Sequence, residues 1–150
     1  MGEKDHTQKM LIGCRDVFAE LINVLVYSGE NVVNEADLLA GPTESLYIGT
    51  DKQTHQQFRD CSMYELHNGE IHALYNLENQ SIIDAHMPLR CAGYDGAAYR
   101  SQCNDRKNTY KTYPVFTFVL NWSRKPWNKA TSILEALHFK PNPAAYPYFN

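Results

Sequence analysis

The sequence predicts an α/β domain in which a mixed sheet is flanked by helices in the order α-β-β-β-α-β-α. Three observations carry that expectation. Apolar residues recur at helical spacing near the N-terminus, an Asn-Gly pair separates two strand-like runs, and Val115–Leu120 is a continuous apolar, β-branched run. Strands interleaved with helices bury their apolar faces most readily as helices packed on a sheet.

The first element spans Met10 to Tyr27, where Leu11, Cys14, Phe18, Leu21, Ile22 and Leu25 form the apolar stripe. Asp16, Glu20 and Asn23 lie opposite at i, i+4 and i+7, and Ser28-Gly29 supplies a left-handed stop. After Gly41-Pro42, Leu46-Tyr47-Ile48 reads as a short strand. Phe58–Leu66 and Glu70–Gln80 read as two strands joined at His67-Asn68-Gly69, because Asn and Gly both tolerate the positive φ of a tight hairpin. Alternation in the second strand turns Ile71, Ala73, Tyr75 and Leu77 one way, and His72, Leu74, Asn76, Glu78 and Gln80 the other. A helix is predicted from Met87 to about Gln102, with Pro88 in its first turn, although Gly93 and Gly96 each weaken it by about 1 kcal/mol relative to Ala. Val115–Leu120 is a central strand and Ser132–His138 a last short helix. Beyond it, Pro141, Pro143 and Pro147 among Tyr146, Tyr148 and Phe149 cannot continue that helix.

At 150 residues, 43% of them hydrophobic and ten of them Tyr, the composition is that of one globular domain. No apolar run approaches the roughly 18 residues of a membrane span, and the polar start MGEKDHTQK has no signal-peptide core. A cytoplasmic protein is expected. Cys14, Cys61, Cys91 and Cys103 form no C-x-x-C pair, which argues against zinc and for idle thiols or small core residues. His67 and His72 flank the hairpin turn, and the other histidines do not cluster. The net charge of −3 conceals an asymmetry: residues 1–85 carry a balance of −9 and residues 86–150 one of +6. An acidic half beside a basic half suits a metal site next to a phosphate-gripping surface, and uneven scatter over solvated faces explains it equally well.

The constellation with chemical content is Arg59-Asp60, then 17 residues, then Glu78-Asn79-Gln80-Ser81. Alternation puts Glu78 and Gln80 on one face with the Asn79 carbonyl between them, and the hairpin brings Asp60 to the neighbouring strand. Two carboxylates and a carbonyl form a hard, all-oxygen donor set suited to Mg²⁺ or Mn²⁺. By itself the D-x17-E-x-Q spacing is a weak pattern, and polar residues on a solvated strand face also satisfy it. There is no G-x-S-x-G elbow, no phosphate-binding glycine loop and no dinucleotide fingerprint. Trp122 and Trp127 bracket Arg124-Lys125, which fits either a grip on a DNA backbone or a turn anchored by two aromatics.

The segments FAELINVLVYSGENVV, FRDCSMY, LENQS, MPLRCAGYDGAAY and YPVFTFVLNW stand here in that order. In this the chain resembles, from about Asp16 to Leu137, the recombination-promoting nuclease and putative transposase family of the PD-(D/E)XK superfamily. The resemblance implies a restriction-endonuclease-like fold with a nuclease-like core over 1–140 and a tail over 141–150. It also implies hydrolysis of DNA phosphodiesters with Mg²⁺ or Mn²⁺. Asp60 resembles the strand aspartate that binds metal, Glu78 the second carboxylate, and Asn79 the residue whose carbonyl completes the set. Gln80 stands where the superfamily has its lysine, and an amide can orient a water but carries no charge. Glu20 resembles an extra helical acid, with Asp16 and Asn23 as alternatives for that place. Arg90, Tyr94 and Gln102 fall on the helix that, in related nucleases, lies beside the active site and contacts phosphate or supports the acids. Family members often run further than this chain does past Leu137. Two rival expectations stand beside the enzyme: a DNA-binding remnant without turnover, and an interaction module that forms a homodimer through its aromatic C-terminal segment.

Overall fold

A computed structural model describes residues 3–104, 111–138 and 140. Two helices, α1 (Glu3–Gly13) and α2 (Arg15–Tyr27), lead into a 3-10 turn at Glu35–Asp37 and strand β1 (Leu38–Ala40). The hairpin β2 (Glu44–Ile48) and β3 (Thr54–Phe58) follows, then β4 (Cys61–His67), β5 (Glu70–Gln80), α3 (Met87–Asn104), β6 (Val115–Asn121) and α4 (Ile133–Ala136). The main sheet runs β1-β4-β5-β6 and is mixed: β5 and β6 are parallel, while β1–β4 and β4–β5 are antiparallel. Among the described residues, β2 and β3 form a separate two-stranded sheet. The tail over 141–150 lies outside the described residues.

The sheet has a helix layer on each face. On one side Phe18, Ala19 and Ile22 of α2 and Ile12 of α1 pack on Cys61, Met63, Ala73, Tyr75 and Leu77, with Val33 and Leu38 closing the edge of the core. On the other side α3 lies against β6, where Thr117 Oγ1 donates to Asp95 Oδ1 at 2.6 Å. Thr117 also accepts from Asn76 Nδ2 on β5, and Asn76 Oδ1 accepts from Ser62 Oγ on β4, so a polar chain crosses beneath α3. β5 is covered on both faces: residues 73–79 are buried without interruption. Among the described residues no helix is long and apolar enough to cross a membrane.

The predicted hairpin is present, with Asn68 and Gly69 at φ 54° and 81°. Its alternation holds from Ala73 onward. Nearer the turn a bulge at Glu65/Leu66 shifts the register, and His72 stacks on His67 with ring centroids 4.5 Å apart, away from the Asn76–Glu78 face.

Three expectations are corrected. The first predicted helix is two helices, because Cys14 adopts an extended φ/ψ of −73°/125° after Gly13. That break turns Ile12 into the core and leaves Leu11 and Cys14 exposed, and Leu25, near the end of α2, is exposed as well. Asn23 does not line a polar face: its side chain is buried and clamps the loop after α2, with Oδ1 accepting from the Val32 and Val33 N–H groups and Nδ2 donating to the Val33 carbonyl. Phe58 belongs to β3 rather than β4, and β1 and β3 are additional strands. β1 has three residues, too few to show a period, and Thr54-His55-Gln56-Gln57 has no apolar alternation.

Candidate functional site

Cys61 pairs with Leu77 and Ser62 with Asn76 across the β4–β5 ladder. Asp60, the residue before β4, lies at the same end of the sheet as Glu78, whose carboxyl feels its charge. The Asp60 carboxylate closes this end of the sheet. Its Oδ2 accepts the Asn79 N–H at 2.8 Å, and its Oδ1 is paired with Lys9 Nζ of α1 at 2.7 Å. A strand residue directs its N–H and C=O to the same side. The Asn79 carbonyl is therefore turned to the Asp60 edge, while the Gln80 carbonyl, one residue on, accepts from the Trp122 N–H on the β6 side.

Glu78 is 1% exposed. Burial, reinforced by the neighbouring Asp60 charge, pushes its carboxyl up to about 7, and Arg90, Arg59 and Lys9 pull it part of the way back. Its Oε2 lies 3.8 Å from Arg90 Nη2, and its Oε1 is buried without a hydrogen-bond partner. A buried carboxylate oxygen left unpaired costs free energy unless something joins it or a proton neutralises it.

Arginines secure the surroundings. Arg90 donates to Asp84 Oδ2 at 3.0 Å and to the Tyr94 hydroxyl at 3.2 Å, and Tyr94 in turn donates to the Phe58 carbonyl. Asp84 is held below its ordinary carboxylate range by the His86 N–H and by Arg90. Arg59 is buried. It donates to the Pro42 and Tyr94 carbonyls, and its guanidinium sits over the Tyr94 ring at 5.5 Å.

The structure thus brings Asp60, Glu78, Asn79 and Arg90 together, with Gln80 half-buried at the end of β5. It does not bring Glu20 to them: that residue is exposed on α2, and no described hydrogen bond or ion pair links it to the two acids. Tyr94 is 3% exposed and faces Arg59 and Arg90, so it offers no ring surface for a base to stack on. Gln102 is likewise engaged internally. Its Oε1 accepts the Tyr113 N–H and its Nε2 donates to the Tyr113 carbonyl, which fastens the approach to β6. Arg124 and Lys125 stand exposed in the turn after β6, and the two tryptophans anchor that turn: Trp122 Nε1 donates to Asn79 Oδ1 at 2.7 Å and Trp127 Nε1 to the Ala130 carbonyl.

The donor set fits a hard divalent cation. It offers two carboxylates, one with a buried unpaired oxygen, and a main-chain carbonyl turned to the same edge. Among the described residues no three His, Cys, Asp or Glu side chains converge on one point. An ion held here would keep several waters, as Mg²⁺ habitually does. Lys9 and Asp84 are the site residues that sequence reasoning missed. Lys9 belongs to a helix without a strong apolar stripe, and Asp84 to the loop before α3, where only its spacing six residues ahead of Arg90 hinted at pairing.

Compared with models of protein families, with curated proteins and with solved structures, the chain matches none.

Proposed function

We propose that this protein is a metal-dependent DNA endonuclease of restriction-endonuclease-like fold, acting in recombination or transposition. The observation that carries the reading is the buried Glu78 carboxylate, its Oε1 unpaired, at the end of the sheet where Asp60 accepts the Asn79 N–H. The order of helices around the mixed sheet and the resemblance of the FRDCSMY, LENQS and MPLRCAGYDGAAY segments support it further.

In this reading Asp60, Glu78 and the Asn79 carbonyl hold Mg²⁺ or Mn²⁺. When bound, such an ion lowers the pKa of a coordinated water and polarises the phosphate. Arg90 fixes the orientation of Glu78 from the α3 side. Gln80, on the Glu78 face, orients a water through its amide. Arg124 and Lys125 hold the DNA backbone, which makes affinity fall steeply with salt.

A second reading keeps the DNA and drops the turnover. It is favoured by Gln80, which supplies no cation, and by the Lys9 ammonium already seated on Asp60. A supercoiled-plasmid nicking assay with Mn²⁺ separates the two. Nicking by the wild type and its loss in Asp60→Ala, with DNA affinity retained, supports the enzyme. Equal behaviour of the two proteins supports the inactive form.

A further inference from the structure

Three cations surround the acid pair, and two of them are held by carbonyl, carboxylate or hydroxyl partners. Arg59 is buried and spends its guanidinium on the Pro42 and Tyr94 carbonyls. Arg90 is bonded to Asp84 and the Tyr94 hydroxyl. The third, Lys9, is paired directly with Asp60, and its side chain keeps a third of its surface in solvent. Its helix is anchored on either side of it. Ile12 is 1% exposed in the core and its carbonyl accepts from the Cys61 thiol, while Gln8 is buried. The lysine is therefore presented to this end of the sheet by a fixed element, at the rim where the acids meet solvent.

We infer that Lys9 is the phosphate-facing cation of the site: its ammonium, held over Asp60 by α1, contacts a phosphodiester oxyanion of bound DNA. The inference rests on the nuclease-like reading above and adds to it a residue from outside the FAELINVLVYSGENVV-to-Leu137 region that suggested that reading. An ammonium in this position offsets the negative acids for an approaching phosphate. It also competes with a divalent cation for Asp60 Oδ1, so its removal acts in opposite directions on the two ligands.

The test uses the full chain, as wild type, Lys9→Met, Lys9→Gln and Lys9→Arg, with thermal unfolding as a check that each folds. Binding of a mixed-sequence DNA duplex is measured by fluorescence anisotropy in EDTA over a salt series. Mn²⁺ binding without DNA is measured by calorimetry. Loss of one phosphate contact lowers the magnitude of the slope of log affinity against log salt by about 0.9. The expected result is that decrease in Lys9→Met and Lys9→Gln, its restoration in Lys9→Arg, and tighter Mn²⁺ binding in the two neutral variants. An unchanged salt slope in both neutral variants overturns the role of Lys9 while leaving the metal-and-DNA reading intact. A wild type that binds neither duplex nor Mn²⁺ overturns both.

Discussion

Replacing Glu78 with Gln removes the most strongly perturbed carboxyl at the site while keeping its shape. Burial raises this carboxyl from 4.5 to about 7, so between those values the folded chain holds a proton that the unfolded chain has released. Stability therefore falls as pH climbs through this window and levels off above it, since the native state is the one binding more protons. At 1.36 kcal/mol per pKa unit the full effect is about 3 kcal/mol. Glu78→Gln lacks this term. Its stability relative to wild type should be near equal at pH 4.5 and should rise by about 3 kcal/mol by pH 8, or roughly 6–12 °C in Tm for a chain of this size. Urea unfolding of both proteins at a series of pH values measures the difference, in which titrations shared by both cancel. Saturating Mg²⁺ at pH 8 should stabilise wild type by about 2.7 kcal/mol at a hundred times Kd and leave the variant unmoved. A difference in stability that does not vary with pH would refute the assignment of a buried, proton-retaining carboxyl to position 78.

Two further outcomes test the frame that carries the site. Asn23→Ala deletes three hydrogen bonds to the Val32–Val33 backbone and leaves buried peptide groups unpaired, so a loss of about 2–4 kcal/mol is expected in denaturant unfolding. Gly69→Ala forces a side chain into φ 81° at the hairpin turn and should lower stability by about 1–2 kcal/mol by the same measurement, with DNA affinity unaltered.

Much of the scaffold could be read in advance because it was written in local signals. Asn68-Gly69 marked the hairpin, the β-branched run at Val115 marked the central strand, and the short helix expected over Ser132–His138 is α4, Ile133–Ala136. The nearness of Asp60 to the end of β5 followed from the hairpin. What could not be read depended on distant packing. The Gly13-Cys14 break turns on Ile12 finding the sheet, and the role of Asn23 on a loop that returns to α2. Tyr94 and Gln102 fall on the helix expected beside the site, but their partners Arg59, Phe58 and Tyr113 come from distant segments. A helical period identifies a face but not which neighbour covers it.

The unbroken burial of residues 73–79 gives this end of the sheet a mechanical character. Backbone hemmed in from above and below cannot shift to greet an incoming ion or strand, so the carboxylate at position 78 waits in a fixed place. Adjustment is left to the partly exposed side chain of Lys9, reaching in from α1. In the proposed site, then, the floor at Glu78 is stiff and the rim at Lys9 is the part that can yield.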